Sequence, residues 1–73
     1  MKNKLPIGEY LLCYRKAHGL TQAALGELLG VSAAAVSKWE LARSYPDIFL
    51  LPDISKLLGI SIDVLMGTQS TSQ

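Results

Sequence analysis

Gly30 divides residues 21–40, TQAALGELLGVSAAAVSKWE, into two stretches that each meet the demands of a short helix, and this hinge constrains the chain more than any other feature. Thr21 can cap the first stretch with its hydroxyl, and Gln22 opens it. Leu25, Leu28 and Leu29 follow at i, i+3, i+4 and predict one apolar face, while Gly26 on the inner side leaves room for a second helix to cross closely. Gly30 lies just past the last apolar position, where a left-handed residue ends a helix at little cost, and Val31 can plug the angle that results. Ser32 is a ready N-cap. From it a second helix runs to about residue 41 with Val36 and Trp39 on one face, which directs Ala33, Ala34, Ser37 and Lys38 mostly outward.

This spacing is that of a helix-turn-helix, which points to DNA; the alternative it leaves is an ordinary αα-hairpin without a ligand. The rest of the chain predicts three further helices. Pro6 fits a first helical position, and Ile7, Leu11, Tyr14 and His18 repeat at helical intervals until Gly19. Residues 42–48, with Ser, Tyr, Pro and Asp in succession, read as a loop. Leu50, Leu51, Ile54, Leu57 and Leu58 then form a helical face that ends at Gly59, with Pro52 confined to the first turn. Ser61 can cap a last short helix through Asp63, Val64 and Leu65 to Gly67. Residues 68–73, TQSTSQ, are polar and aperiodic, as in a tail or the start of a linker. The expectation is an all-α domain over residues 1–67.

Seventy-three residues suffice for one small core, and an apolar share of 49% supplies it. No apolar run approaches a membrane span or a signal-peptide core, so the chain is expected to be soluble and cytoplasmic. Cys13 and His18 are the only residues of their types, five apart on a predicted helix, which suits neither a nucleophile with its base nor a tetrahedral metal site. No enzyme activity, cofactor or small-molecule substrate is expected. Seven basic against six acidic residues leave a net charge of +1, so any affinity for nucleic acid must come from the distribution of charge rather than its sum. Several acids (Glu9, Asp47, Asp53 and Asp63) fall near predicted helix starts, where the helix dipole favours them, while Lys38 and Arg43 lie in and just after the second hinged helix.

LTQAALGELLGVS followed by VSKWE, SYPDI and LLPDISKLLGISIDVLMG, with IGEYLLCYRKAHGLTQ ahead of them, resembles the ordered pattern of the lambda-repressor/Cro-like helix-turn-helix regulators, the xenobiotic-response-element type, over about residues 6–67. The resemblance implies a compact five-helix domain with the helix-turn-helix at helices two and three. It further implies a transcriptional regulator, such as a repressor, that binds double-stranded DNA as a homodimer on paired half-sites. The second motif helix, about residues 32–41, would enter the major groove with Ser32, Ala33, Ala34 and Lys38 facing bases. Gln22, Ser37, Arg43 and Ser44 would contact phosphates. Arg15 and Glu40 stand where similar proteins often pair an arginine of helix one with a glutamate ending the reading helix.

Two departures from the pattern matter. Positions 33 and 34 commonly carry hydrogen-bonding side chains in such regulators, whereas this chain has alanine, which makes no bidentate base contact. Specificity then falls unless the methyls touch thymine methyls or Lys38 reads guanine, and two outcomes are open: an A·T-biased site, or weak, partly non-specific binding. The second departure is apolar surface at Leu12, Cys13 and Phe49. It supports the alternative of a protein-interaction module that keeps the frame and has lost base readout. Leu65, Met66 and the segment after Gly67 are candidates for contacts between copies.

Overall fold

The computed structural model describes residues 6–67, and among them the chain is entirely helical, with no strand. In order these are α1 (Ile7–Ala17), α2 (Gln22–Leu29), α3 (Ala33–Glu40), a 3-10 turn (Ile48–Leu50), α4 (Leu51–Leu58) and α5 (Ile62–Met66). Segments this short are unstable alone in water, so each must be held by the apolar side it turns inward. All five do so in one cluster: Ile7 and Leu11 from α1, Leu25 and Leu29 from α2, Val36 and Trp39 from α3, Leu51 and Ile54 from α4, and Leu65 from α5.

Serine and threonine cap the starts of α2, α3 and α5, and aspartate that of the 3-10 turn. Thr21, Ser32 and Ser61 each accept a hydrogen bond from the backbone amide three residues on, at 3.0, 3.1 and 3.2 Å. Asp47 accepts from the Phe49 amide at 3.2 Å and so begins a turn inside what the sequence suggests is plain loop. Pro52 is the second residue of α4, where its missing N–H costs nothing. Pro6 stands one place ahead of α1 rather than within it, and its carbonyl accepts the amides of Glu9 and Tyr10 at 3.0 and 3.1 Å. Ser55 fastens the α4 to α5 connection by donating its hydroxyl to the Ile60 carbonyl at 2.6 Å.

Several expected faces shift. Leu28 is 57% exposed, because α2 turns Leu25, Gly26 and Leu29 to the core and leaves Leu28 at the edge of that stripe. His18 lies beyond the end of α1, exposed, with its ring 4.2 Å from that of Tyr14. Leu65 is fully buried and so is unavailable to a second copy, whereas Met66 is half-buried. Of the three apolar surface candidates, Cys13 is exposed, Phe49 is exposed and Leu12 is half-buried. The polar segment 68–73 lies outside the described residues.

A glycine that periodicity does not single out sets the packing of α1 on α3. A Cβ on Gly8 would run into the carbonyl of Trp39, so α1 meets the backbone of α3 directly. That contact lies one residue from Glu40, the end of α3.

Candidate nucleic-acid interface

α2 and α3 meet at a turn closed from both sides. Gly30 has φ +76° and ends α2, with its amide donating to Glu27 O at 3.3 Å and that of Val31 to Gly26 O at 2.8 Å. A Cβ on Gly26 would lie 2.5 Å from the Val31 carbonyl oxygen, so the space that Gly26 leaves is filled by the turn itself rather than by α3. The backbone then leaves Ser32 extended, its hydroxyl caps α3, and the helix angle is set.

Val36 and Trp39 are buried and Ala35 packs against the core, which leaves Ala33, Ala34, Ser37 and Lys38 toward the outer surface of α3. Ser32, Ala34 and Lys38 are exposed, Ala33 and Ser37 half-buried. Lys38 forms no ion pair among the described residues. Beyond α3 the chain turns at Ala42, which holds φ +59°, the left-handed region that alanine rarely occupies. Here the amides of Ala42 and Arg43 donate to Trp39 O and Lys38 O at 3.1 and 2.9 Å, the same double closure that ends α2 at Gly30. Arg43 follows, exposed, and Ser44 is half-buried.

Glu40, the other charged residue of α3, points inward. Arg15 forks onto it, Nε to Oε2 at 2.7 Å and Nη2 to Oε1 at 3.0 Å, and gives its third hydrogen bond to Leu20 O at 3.1 Å. Gln22 donates its side-chain amide to Glu40 Oε1 at 3.0 Å. The side chains of Arg15 and Glu40 keep only 16% and 6% of their surface. Burial alone would push the Glu40 carboxyl up, but the hydrogen bonds from Arg15 and Gln22, with the charges of Arg15 and Lys16, outweigh it and hold the group below its ordinary value. Arg15 is raised in turn, chiefly by its hydrogen bond to Glu40. One carboxylate thus joins the last residue of α3 to α1 and to the first residue of α2.

The residues singled out from the sequence fall into two groups. Ser32, Ala33, Ala34, Ser37 and Lys38 share one helix, with Arg43 and Ser44 after its far end, while Gln22 reaches the group through its bond to Glu40. Gln22's engagement with Glu40 has no signal in periodicity, nor does the contact at Gly8. Leu41, 58% exposed where α3 ends, likewise carries no warning in the pattern, since apolar residues near a helix end usually turn inward. Among the described residues no group of three or more His, Cys, Asp or Glu side chains could hold a metal ion, and no helix is long and apolar enough to cross a membrane.

The sequence model of the family described as helix-turn-helix matches residues 14–65. The HTH-type transcriptional activator BcrR of Enterococcus faecalis is 40% identical over 63 residues, 86% of this chain and 31% of BcrR. Repressor protein C2 of Salmonella phage P22 is 40% identical over 60 residues, 82% of this chain and 28% of the repressor. The chain thus spans less than a third of the length of these two relatives. The crystal structure of the P22 c2 repressor in complex with synthetic operator 9T superposes with a TM-score of 0.75 at 38% identity, covering 86% of this chain and 96% of that one. A similar unit occurs within FeII HppE in complex with substrate, at a TM-score of 0.68 and 29% identity, where it covers 88% of this chain and 36% of that one. The match across both hinged helices and their supports places the chain in the lambda-repressor/Cro-like helix-turn-helix family.

Proposed function

We propose that residues 1–67 form the double-stranded-DNA-binding domain of a transcription regulator, with α3 lying in the major groove. The observation that carries this reading is the division of labour in α3. Every fold-holding group on it (Val36, Trp39, Glu40) faces inward, and its outer face carries the exposed and uncommitted Lys38. Ser32, Ala33, Ala34 and Lys38 meet base edges. Gln22 supplies the second hydrogen of its side-chain amide to a phosphate, and Ser37, Arg43 and Ser44 supply further backbone contacts. The likeness to a repressor solved on its operator supports this reading, as does the regulator BcrR.

The domain acts in the cytoplasm as one half of a homodimer, on half-sites about one helical turn of DNA apart. It is a binder rather than an enzyme and needs no cofactor. A second reading, as an interaction module without base readout, draws on Phe49, which is 87% exposed and follows Ile48, one of the residues that line an apolar groove with Tyr45 and Met66.

One titration separates the two. Amide shifts of the labelled chain are followed as duplex DNA is added at low and moderate salt. DNA binding moves the amides of Gln22, of residues 32–38 and of Arg43, and log affinity falls by about 0.9 per neutralised phosphate against log salt. Shifts that instead follow protein concentration at Leu12, Cys13 and Phe49, with duplex inert, would establish the interaction module.

A further inference from the structure

We infer that α3 selects thymine by its 5-methyl group, at Ala34 with Ala33 beside it, and takes one hydrogen-bonding base, a guanine, at Lys38; the inference rests on the DNA reading above. It follows from which polar groups of α3 remain available. The Ser32 hydroxyl oxygen accepts the Ala35 amide at 3.1 Å. Glu40 is taken by Arg15 and Gln22, and one of the two hydrogens of Gln22's side-chain amide is held by Glu40. What remains outward is the hydrogen of the Ser32 hydroxyl, the half-buried Ser37 hydroxyl, the Lys38 ammonium and alanine methyls.

This inventory excludes most of the major-groove code. Adenine is read by a side-chain amide that both donates and accepts, and α3 carries none. Cytosine's amino group is read by a carboxylate, and the one carboxylate of α3 faces the core. Guanine, with two acceptors, suits the ammonium of Lys38, and the thymine methyl suits the methyl of alanine. Ala34 and Lys38 are one helical turn apart on the same exposed face, about 6 Å along the axis. That span corresponds to about two base-pair steps, so the thymine and the guanine are near neighbours in the site.

The test alters the DNA and leaves the protein intact. The full chain is used to enrich a random-sequence duplex library, and in the best-bound duplex each thymine is replaced in turn by deoxyuridine, which lacks the methyl and keeps every hydrogen-bonding atom. Each contacted methyl removed lowers affinity about fourfold, the equivalent of one buried methylene. Replacement of the contacted guanine by 7-deazaguanine lowers it as well, and does so only while Lys38 is present. Ala34→Gly weakens binding to the thymine duplex and abolishes the difference between thymine and deoxyuridine. If deoxyuridine is neutral at every position while the duplex still binds, methyl selection is wrong and DNA binding stands. If no duplex is retained even at low salt, the DNA reading itself falls, and the inference with it.

Discussion

Arg15 Nε lies 2.7 Å from Glu40 Oε2, and this forked pair ties the last turn of α1 to the last residue of α3. Removing the arginine leaves a largely buried carboxylate with Gln22 as its remaining hydrogen-bond donor. Arg15→Ala should therefore cost about 3 kcal/mol, near the lower end for breaking a buried pair. In a chain of this size that lowers the thermal midpoint by more than about 10 °C, read by circular dichroism. A variant that melts with the parent would show that the pair is only decorative.

The same pair makes stability depend on acid. Because the Glu40 carboxyl is held below its ordinary value in the fold, it binds a proton more readily in the unfolded chain. Its contribution is present in full above the unfolded value, about 4.3, and is lost as pH falls through the lower folded value. Glu40→Gln should thus be less stable than the parent at neutral pH, and the gap should narrow below about pH 4. Thermal midpoints of the two proteins across pH measure this directly, and a gap that is constant with pH would refute it.

Helix propensity and packing make opposite predictions at Gly8. Propensity alone favours alanine within a helix by about 1 kcal/mol. The added Cβ, however, would strike the Trp39 carbonyl, which is backbone and cannot rotate away. Packing should win, with Gly8→Ala destabilising by about 1–3 kcal/mol as α1 and α3 are forced apart. Urea unfolding followed by Trp39 fluorescence reports the sign.

Ala42 offers the reverse case. Its φ of +59° closes α3 with the same hydrogen bonds that Gly30 provides for α2. A left-handed alanine costs about 1–2 kcal/mol, and glycine returns part of that in unfolded-state entropy. Ala42→Gly should raise stability by about 0.5–1 kcal/mol. A fall in the urea midpoint would mean that the turn favours a side chain here.

Much of this architecture is legible in the sequence because local chemistry decides it. Thr21, Ser32 and Ser61 announce helix starts and Gly30, Gly59 and Gly67 announce ends, since capping oxygens and left-handed residues act within a few positions of themselves. The less legible features depend on distant chain. Gly8 looks like a weak point in α1 until Trp39 is brought against it. Leu28 fits the apolar spacing of α2, but a helix of eight residues buries a narrow stripe, and which residue lies at its edge is decided by the neighbours. Gln22 reads as a surface residue, and its bond to Glu40 exists only because α2 and α3 fold back on one another. Ala42 is hidden for a different reason: alanine gives no sign of a left-handed turn, and the bonds to Lys38 and Trp39 impose it.

The inward clamp on α3 also bears on how such a domain can change. Because Ser32, Val36, Trp39 and Glu40 hold the helix from its start and its inner side, the exposed Ala34 and Lys38 can be exchanged with little effect on its placement. Substitutions at exposed sites away from such fixed points usually alter stability by no more than about 0.5 kcal/mol. New partners can therefore be acquired one side chain at a time, with the scaffold inherited unchanged.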